Sequence, residues 1–121
     1  MGLLDKLFGR EQDEEDAGPF DVESFSELNR YLKDNRCVVV EFWMRGCSPC
    51  KAMDAIVKRL AKEYRGKVMF LKSHFRTEIA DKYKVKSVPT FLLFVDGKVR
   101  KKKRGAMSYE AFKNWMSGCV R

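Results

Sequence analysis

The sequence predicts an α/β domain in which a central mixed β-sheet carries helices on both faces. Three patterns lead to this prediction: an apolar, β-branched run at Cys37–Met44, a helix with one apolar stripe after it, and two short strands around Asp96-Gly97. The chain of 121 residues is long enough for one domain that buries about two-thirds of its unfolded surface. With 45% hydrophobic and 35% charged residues, its composition excludes the disordered and collagen-like classes.

The chain divides into an N-terminal segment at residues 1–18 and a domain at residues 19–121. Residues 2–8 have the apolar spacing of an amphipathic turn or two, and residues 10–18 are polar and acidic, as in a solvated linker. Ser24 and Glu27 have the spacing of a capping box, and apolar residues follow at helical spacing. These residues predict a first helix that ends around Asn35.

The run Cys37–Met44 has the composition of a strand that is buried on both faces. Strands of that kind pair in parallel, with helices on either side. Glu41 lies inside this run, where a charged side chain is not expected. The strand is therefore predicted to be central, and Glu41 to be buried with a role of its own.

A helix is predicted to start at Ser48–Pro49, because serine suits the cap and proline suits the first helical position. Gly66 is expected to end this helix. One apolar stripe faces the core, and the opposite face carries side chains that are expected to meet solvent: Lys51, Asp54, Lys58 and Lys62.

The rest of the chain alternates between strands and short helices. Asp96-Gly97 between two strand-like runs predicts a hairpin with a type I′ turn. The predicted elements, in order, are a strand at Val68–Phe75, a helix at Thr77–Tyr83, strands at Thr90–Val95 and Lys98–Arg104, and a helix capped by Ser108.

The formal net charge is +8, and it is spread unevenly. Residues 1–20 sum to −4, so the remaining 101 residues carry +12. This asymmetry favours acidic partners. The sequence shows neither a secretory signal nor an apolar run of membrane length, so we expect a cytoplasmic protein with no stable membrane association, and a monomer.

Four cysteines in a chain of this kind argue against a disulfide framework. We expect Cys37 to be an inert buried thiol and Cys119 to be a free surface thiol. Cys47 and Cys50 form a C-x-x-C motif, which serves either redox chemistry or metal binding. Tetrahedral zinc needs two further ligands, and His74 is the single histidine, so we expect no metal.

The position of the C-x-x-C motif, between a buried strand and a helix start, favours redox chemistry. The N–H groups and dipole of the helix stabilise a thiolate at Cys47, and Arg45 adds a positive charge nearby. Cys50 is one turn inside the helix, where it is shielded and able to attack a mixed disulfide on Cys47. Pro49 stiffens the turn between the two sulfurs.

The stretches EFWMRGCSPCK (Glu41–Lys51) and SVPTFLLFVDGKV (Ser87–Val99), with the Gly105 turn, resemble the thioredoxin family. The similarity covers roughly residues 19–117 and includes the whole order of elements. It implies a thioredoxin-like fold and a Cys-Ser-Pro-Cys active site for thiol–disulfide exchange. It also implies a cis Pro89 against the cysteine pair, with the Val88 backbone pairing with an extended substrate.

The resemblance assigns a role to the unexpected charge in the strand. Glu41 matches the family's buried acid, which helps to move the proton of the second cysteine, and Lys72 matches the lysine beside that acid. Trp43 matches a tryptophan close to the active disulfide, although its role here is expected to be packing.

Two residues beside the nucleophile depart from the family's W-C-G-P-C motif. Gly46 replaces the tryptophan and Ser48 replaces the glycine, and the buried acid is a glutamate where an aspartate is usual. Gly46 is expected to open the surface beside Cys47 and change substrate choice, and Ser48 to donate a hydrogen bond near the thiolate.

Together these features predict a protein disulfide oxidoreductase that reduces protein disulfides, some of them acidic, with Cys47 attacking and Cys50 resolving. We expect no cofactor beyond this redox-active pair, but a disulfide reductase or a small thiol must donate electrons. Two alternatives stay open, namely a redox-silent adaptor with the same fold, and a disulfide oxidase or isomerase with the same site. The basic run Lys98–Arg104 is interpreted as a protected edge strand, so no nucleic acid is expected.

Overall fold

The computed structural model describes residues 17–120, so the predicted amphipathic turn at residues 2–8 lies outside the described residues. No helix in the described range is both long enough and apolar enough to cross a membrane. The elements of this range, in chain order, are β1 (Phe20–Asp21), α1 (Phe25–Asp34), β2 (Cys37–Trp43), α2 (Ser48–Glu63), β3 (Met69–His74), α3 (Glu78–Lys82), β4 (Thr90–Val95), β5 (Lys98–Arg104) and α4 (Tyr109–Met116).

The strands form one mixed sheet in the order β1-β3-β2-β4-β5. β3 runs parallel to both β1 and β2, whereas β4 is antiparallel to β2 and to β5. The parallel pairing expected for β2 is therefore correct on its β3 side, and its other neighbour is antiparallel. β5 is an edge strand whose residues are all exposed, as expected for the basic run.

Two apolar cores lie on the two faces of the sheet. Helices α2 and α4 cover one face, and helices α1 and α3 cover the other. Residues of β2 alternate between these cores, so that Cys37 and Val39 face α2 and α4, while Val38, Val40 and Phe42 face α1 and α3. Glu41 follows the same alternation and therefore lies on the face that α2 covers.

Local sequence signals account for most element boundaries. The Ser24 hydroxyl accepts a hydrogen bond from the Glu27 amide, and the Glu27 carboxylate accepts from the Ser24 amide, both at 3.2 Å. Asp96 and Gly97 both have positive φ, at 52° and 81°, as a type I′ turn requires. The prediction that Gly66 ends α2 is wrong by three residues, since the helix ends at Glu63 and Gly66 serves the following turn at φ +82°.

Cys37 is buried as expected, but neither Cys37 nor Cys119 is a free thiol, and Cys119 is not at the surface. Cys37 and Cys119 form a disulfide with a Cα–Cα distance of 6.1 Å, within the usual range, and each is 2% exposed. Helix α4 packs on the sheet, and the turn after Met116 brings Cys119 back over the start of β2, with the Cys119 amide donating to the Met116 carbonyl at 2.9 Å. A sequence separation of 82 residues left no local signal of this pairing.

Candidate active site

The C-x-x-C motif lies at the N-terminus of α2, where it forms a disulfide with a Cα–Cα distance of 5.2 Å. The Cys50 amide donates a hydrogen bond to the Cys47 sulfur at 3.1 Å. Cys47 is half-buried, whereas Cys50 is 4% exposed. The first sulfur is therefore the one that meets solvent, and it lies where the helix N–H groups stabilise negative charge.

The residue that caps α2 is Cys47, and the expectation that Ser48 is the cap is wrong. Cys47 has the extended backbone of a cap residue (φ −92°, ψ 103°), and its sulfur accepts the hydrogen bond that a serine hydroxyl would otherwise accept. Ser48 is the first helical residue and Pro49 the second. This shift of one position places the nucleophilic atom itself at the positive end of the helix.

Gly46 explains why the family's tryptophan is missing here. Its φ is +80°, in the left-handed region that favours glycine. A Cβ atom added to Gly46 would have no heavy atom within 4 Å among the described residues. The surface beside Cys47 is therefore open, as predicted.

A shallow groove of about 360 Å³ runs along this surface. Besides the cysteine pair, it contains an exposed methionine, one acidic side chain and two basic side chains. The residues that line it are Trp43, Met44, Gly46, Cys47, Ser48, Cys50, Lys51, Asp54 and Lys72.

Glu41 is buried in the centre of the sheet, with 1% of its surface exposed. It pairs with Lys72 of β3 and with Phe91 of β4, on the face that α2 covers. Burial raises the pKa of Glu41 to about 7, and it outweighs the nearby Lys72, which lowers this pKa. Neither carboxylate oxygen has a hydrogen-bond partner among residues 17–120, so the carboxyl is a proton acceptor that is poised near neutral pH.

Lys72 is shared between two carboxylates. Its Nζ lies 3.8 Å from Oδ1 of Asp54, and Asp54 in turn raises the pKa of Glu41. The sequence placed Asp54 on the solvent face of α2, and its side chain is indeed 47% exposed, but it also lines the groove beside the cysteine pair. Its position four residues after Cys50, and so on the same side of the helix, was the signal that could have found it.

The Val88–Pro89 peptide is cis, and Pro89 is buried while Val88 is half-buried. Thr90, the first residue of β4, pairs with Phe42 near the end of β2. This register places the cis peptide at the same end of the sheet as the loop that carries Cys47. Val88 and Pro89 are not part of the groove lining, and neither are the exposed residues Arg45 and Pro49.

Trp43 is held between a cation and a second ring. The Nζ of Lys72 lies 4.8 Å from the centre of the Trp43 ring, and the His74 ring meets it edge-on at 5.2 Å. The His74 Nδ1 accepts a hydrogen bond from the Arg76 amide at 3.1 Å. Trp43 thus forms one wall of the groove through packing, as the sequence suggested, and it also touches the lysine beside Glu41.

The thioredoxin family model matches residues 20–118 of this chain. The M-type thioredoxin of Brassica napus chloroplasts is 46% identical over 68 residues, which are 54% of this chain but only 38% of that protein. The thioredoxin of Rickettsia bellii is 33% identical over 99 residues, which are 80% of this chain and 92% of that protein.

A solved thioredoxin structure shows the same architecture. A variant thioredoxin of Halobacterium salinarum superposes with a TM-score of 0.80 at 26% identity, over 87% of this chain and 93% of that one. The mixed sheet with two helices on each face is therefore the arrangement that the sequence predicted.

Proposed function

This chain belongs to the thioredoxin family of thiol–disulfide oxidoreductases, and on that premise we propose that it reduces disulfide bonds in other proteins through Cys47 and Cys50. One observation carries this proposal: the more accessible sulfur caps a helix of 16 residues while its partner is buried one turn inside. Such an arrangement lowers the pKa of the first thiol and protects the second until the first has reacted.

The reaction starts from the reduced pair. The Cys47 thiolate attacks one sulfur of the substrate disulfide, the substrate S–S bond breaks, and the other substrate sulfur leaves as a thiolate. Cys50 then attacks Cys47, which releases the second substrate thiolate and closes the Cys47–Cys50 disulfide. Two electrons pass to the substrate, and a disulfide reductase or a small thiol returns them to the pair.

Glu41 supplies the acceptor for the proton that Cys50 must lose before it attacks. Its pKa of about 7 lets it accept and return a proton near neutral pH. Lys72 forms an ion pair with Asp54, and its positive charge also acts on Glu41. Lys72 therefore limits how far burial raises the pKa of Glu41. The position of Glu41 on the face beneath α2 supports this role.

The substrate is expected to lie across the groove and the cis peptide. Following the resemblance, the Val88 backbone pairs with an extended segment on one side of Cys47, and Pro89 keeps that backbone in place. Gly46 leaves the other side open, next to the exposed side chain of Met44. Ser48 and Arg45 are the remaining polar groups close to the nucleophile along the chain.

Insulin reduction in the presence of dithiothreitol tests the proposal. Wild type is expected to reduce insulin faster than dithiothreitol alone, Cys47→Ser to match dithiothreitol alone, and Cys50→Ser to accumulate a mixed disulfide on Cys47. Lys67→Gln, an exposed residue outside the groove, is the control and is expected to keep the wild-type rate. A wild type no faster than dithiothreitol would mean that the chain is a redox-silent adaptor.

A further inference from the structure

Cys37 and Cys119 occupy the opposite end of the molecule from the active pair. Cys37 begins β2 and Trp43 ends it, so six residue steps, or roughly 20 Å, separate this disulfide from the active-site end of the strand. Family resemblance and local spacing assign no role to it. Its surroundings nevertheless have the features of a second exchange site.

The first feature is the turn after α4 that carries Cys119. After α4 ends at Met116, the Ser117 amide donates to Asn114 and the Cys119 amide to Met116, at 3.2 and 2.9 Å. The Arg36 guanidinium adds a bond to the Cys119 carbonyl at 2.7 Å. A turn held by a few hydrogen bonds opens locally without unfolding the core, and opening would expose Cys119 while Cys37 stays in the sheet.

The second feature is that partners for the reduced state are already in place. The Cys37 sulfur lies 3.0 Å from the Cys119 carbonyl oxygen, which a Cys37 thiol could use as an acceptor. The Arg36 Nη1 atom lies 4.0 Å from the same sulfur. A cation at that distance stabilises a thiolate, so Cys37 is suited to leave when Cys119 is attacked.

The third feature is a cationic cavity of about 210 Å³ that reaches Cys119. Arg36, Arg100 and Lys101 line it together with the apolar side chains of Leu93 and Val95. The Arg36 Nε atom is 3.8 Å from the exposed Asp96 carboxylate, and the Lys101 Nζ donates to the Trp115 carbonyl at 2.9 Å. Among the described residues, the three basic side chains of the cavity thus face a single nearby carboxylate, that of Asp96. This excess of positive charge favours a small ligand that carries negative charge.

We propose that Cys37 and Cys119 form a second redox-active pair, which exchanges with a small, carboxylate-bearing thiol that binds in this cavity. The thiolate of the small molecule attacks the Cys119 sulfur, the Cys37–Cys119 bond breaks, and Cys37 leaves as a thiolate beside Arg36. A second thiolate attacks the small-molecule sulfur bound to Cys119. The products are one small-molecule disulfide and two protein thiols. The protein thiols take up the two protons that the small thiols released, and two electrons have moved to the protein.

The test uses the full chain with Cys47→Ser and Cys50→Ser, so that its outcome does not depend on the proposed activity of the first pair. Reduction of Cys37–Cys119 is followed in native buffer by alkylation and mass spectrometry, with glutathione as the anionic thiol and cysteamine as the cationic one. Each rate is divided by the concentration of the thiolate form of the small thiol, so that the two thiols are compared at equal thiolate. Glutathione is expected to react about threefold to tenfold faster than cysteamine, with the difference shrinking at high salt.

Arg100→Gln in the same background identifies the cavity as the binding site. It is expected to slow glutathione several-fold and to leave cysteamine unchanged or faster, whereas the matched control Arg65→Gln, an exposed residue in the turn after α2, is expected to change neither rate. If glutathione reduces Cys37–Cys119 only in denaturant, the proposal is overturned and the role of this disulfide is purely structural. Equal rates for the two thiols, insensitive to Arg100→Gln, would overturn the ligand class.

The site of attack is tested separately with oxidised glutathione on the Cys37→Ser and Cys119→Ser forms of that background. A glutathionyl group is expected on Cys119 when Cys37 is absent, and little on Cys37 when Cys119 is absent. Modification of Cys37 alone would contradict the assignment of Cys119 as the sulfur that is attacked.

Discussion

Cys47 and Cys50 are three positions apart in the sequence and lie at a helix N-terminus, whereas Cys37 and Cys119 are 82 positions apart and lie in the core. The Cys37–Cys119 pair lies at the start of β2 and the Cys47–Cys50 pair lies just after its end, and basic side chains lie close to both pairs. The first pair has an open groove beside a half-buried cysteine, while the second has a cavity lined in part by the buried Cys119. Forming or breaking a disulfide therefore has different consequences for the protein at Cys47–Cys50 and at Cys37–Cys119.

The difference follows from loop length and burial. A disulfide that closes a loop of a few residues restricts the unfolded chain less, so its reduction changes the stability of the domain by only about 2 kcal/mol. A disulfide across most of the chain restricts the unfolded state strongly. The first pair is thus suited to repeated turnover, and the second couples its redox state to the stability of the whole domain.

The largest effect expected is on stability, and it separates the two pairs. Cys119→Ser should lower the free energy of unfolding by on the order of 4 kcal/mol, because the loop that this bond closes spans 82 residues. Cys47→Ser with Cys50→Ser should lower it by about half as much, because that loop spans only a few residues. Urea denaturation under non-reducing conditions measures the free energy of unfolding of both variants. In a separate sample with reductant, the free energy of unfolding of wild type should approach that of Cys119→Ser. Equal stabilities of Cys119→Ser and wild type would remove the distinction between the pairs.

The next effect concerns Glu41, which lies on β2 between the two pairs. Its pKa of about 7 keeps the folded carboxyl protonated up to about pH 7, whereas the unfolded chain releases the proton near the ordinary pKa of 4.5. Because the folded state binds more protons between these values, stability falls as the pH rises through that window. Glu41→Gln should therefore be more stable than wild type by about 3 kcal/mol at pH 8 and similar to it at pH 4.

Glu41→Gln also tests which pair Glu41 serves. Insulin reduction should slow on the order of tenfold or more, while reduction of Cys37–Cys119 by glutathione should keep its rate. Urea denaturation of the variant and wild type at both pH values supplies the stability comparison. A stability difference that does not change with pH would show that the Glu41 carboxyl has the same pKa in the folded and unfolded chain, so it would not accept a proton near neutral pH.

A smaller effect is expected in the order of alkylation. In the fully reduced protein near neutral pH, iodoacetamide should label Cys47 at least about tenfold faster than any other cysteine, because helix N–H groups stabilise its thiolate and its surface is accessible. Peptide mapping by mass spectrometry after short labelling times gives the order. Preferential labelling of Cys50 would reverse the roles of the two active cysteines, and preferential labelling of Cys119 would make the second pair the more reactive one.

The smallest effect expected is a substrate preference. Residues 21–121 carry a net charge of +12, so disulfide peptides with acidic flanks should be reduced faster than matched basic ones by a few-fold at low salt, with the difference narrowing as salt rises. Stopped-flow rates at two salt concentrations decide this. Lys51→Gln, in the groove, should reduce the preference more than Lys67→Gln, outside it. Equal rates at low salt would mean that the positive charge does not steer substrates to Cys47.

Local chemistry made most of the fold predictable from the sequence. Ser24 with Glu27, and Asp96 with Gly97, determine their own backbone through hydrogen bonds and positive φ, so the boundaries of α1 and of the hairpin were correct. The apolar run of β2 and the helical stripe of α2 likewise reflect burial that each element needs whatever its neighbours are. The start of α2 was misplaced by one residue because sequence patterns favour serine as a cap and do not anticipate a sulfur in that role.

By itself, the sequence determined the elements, the burial of Glu41 and the position of Cys47 and Cys50 at a helix start, because each depends on residues a few positions apart. Only the tertiary structure decided which strands are neighbours, that Asp54 reaches Lys72, and that Cys119 returns to Cys37. These contacts depend on how helices α2 and α4 pack across one face of the sheet. Packing of that kind joins residues far apart in the chain, and no local pattern records it.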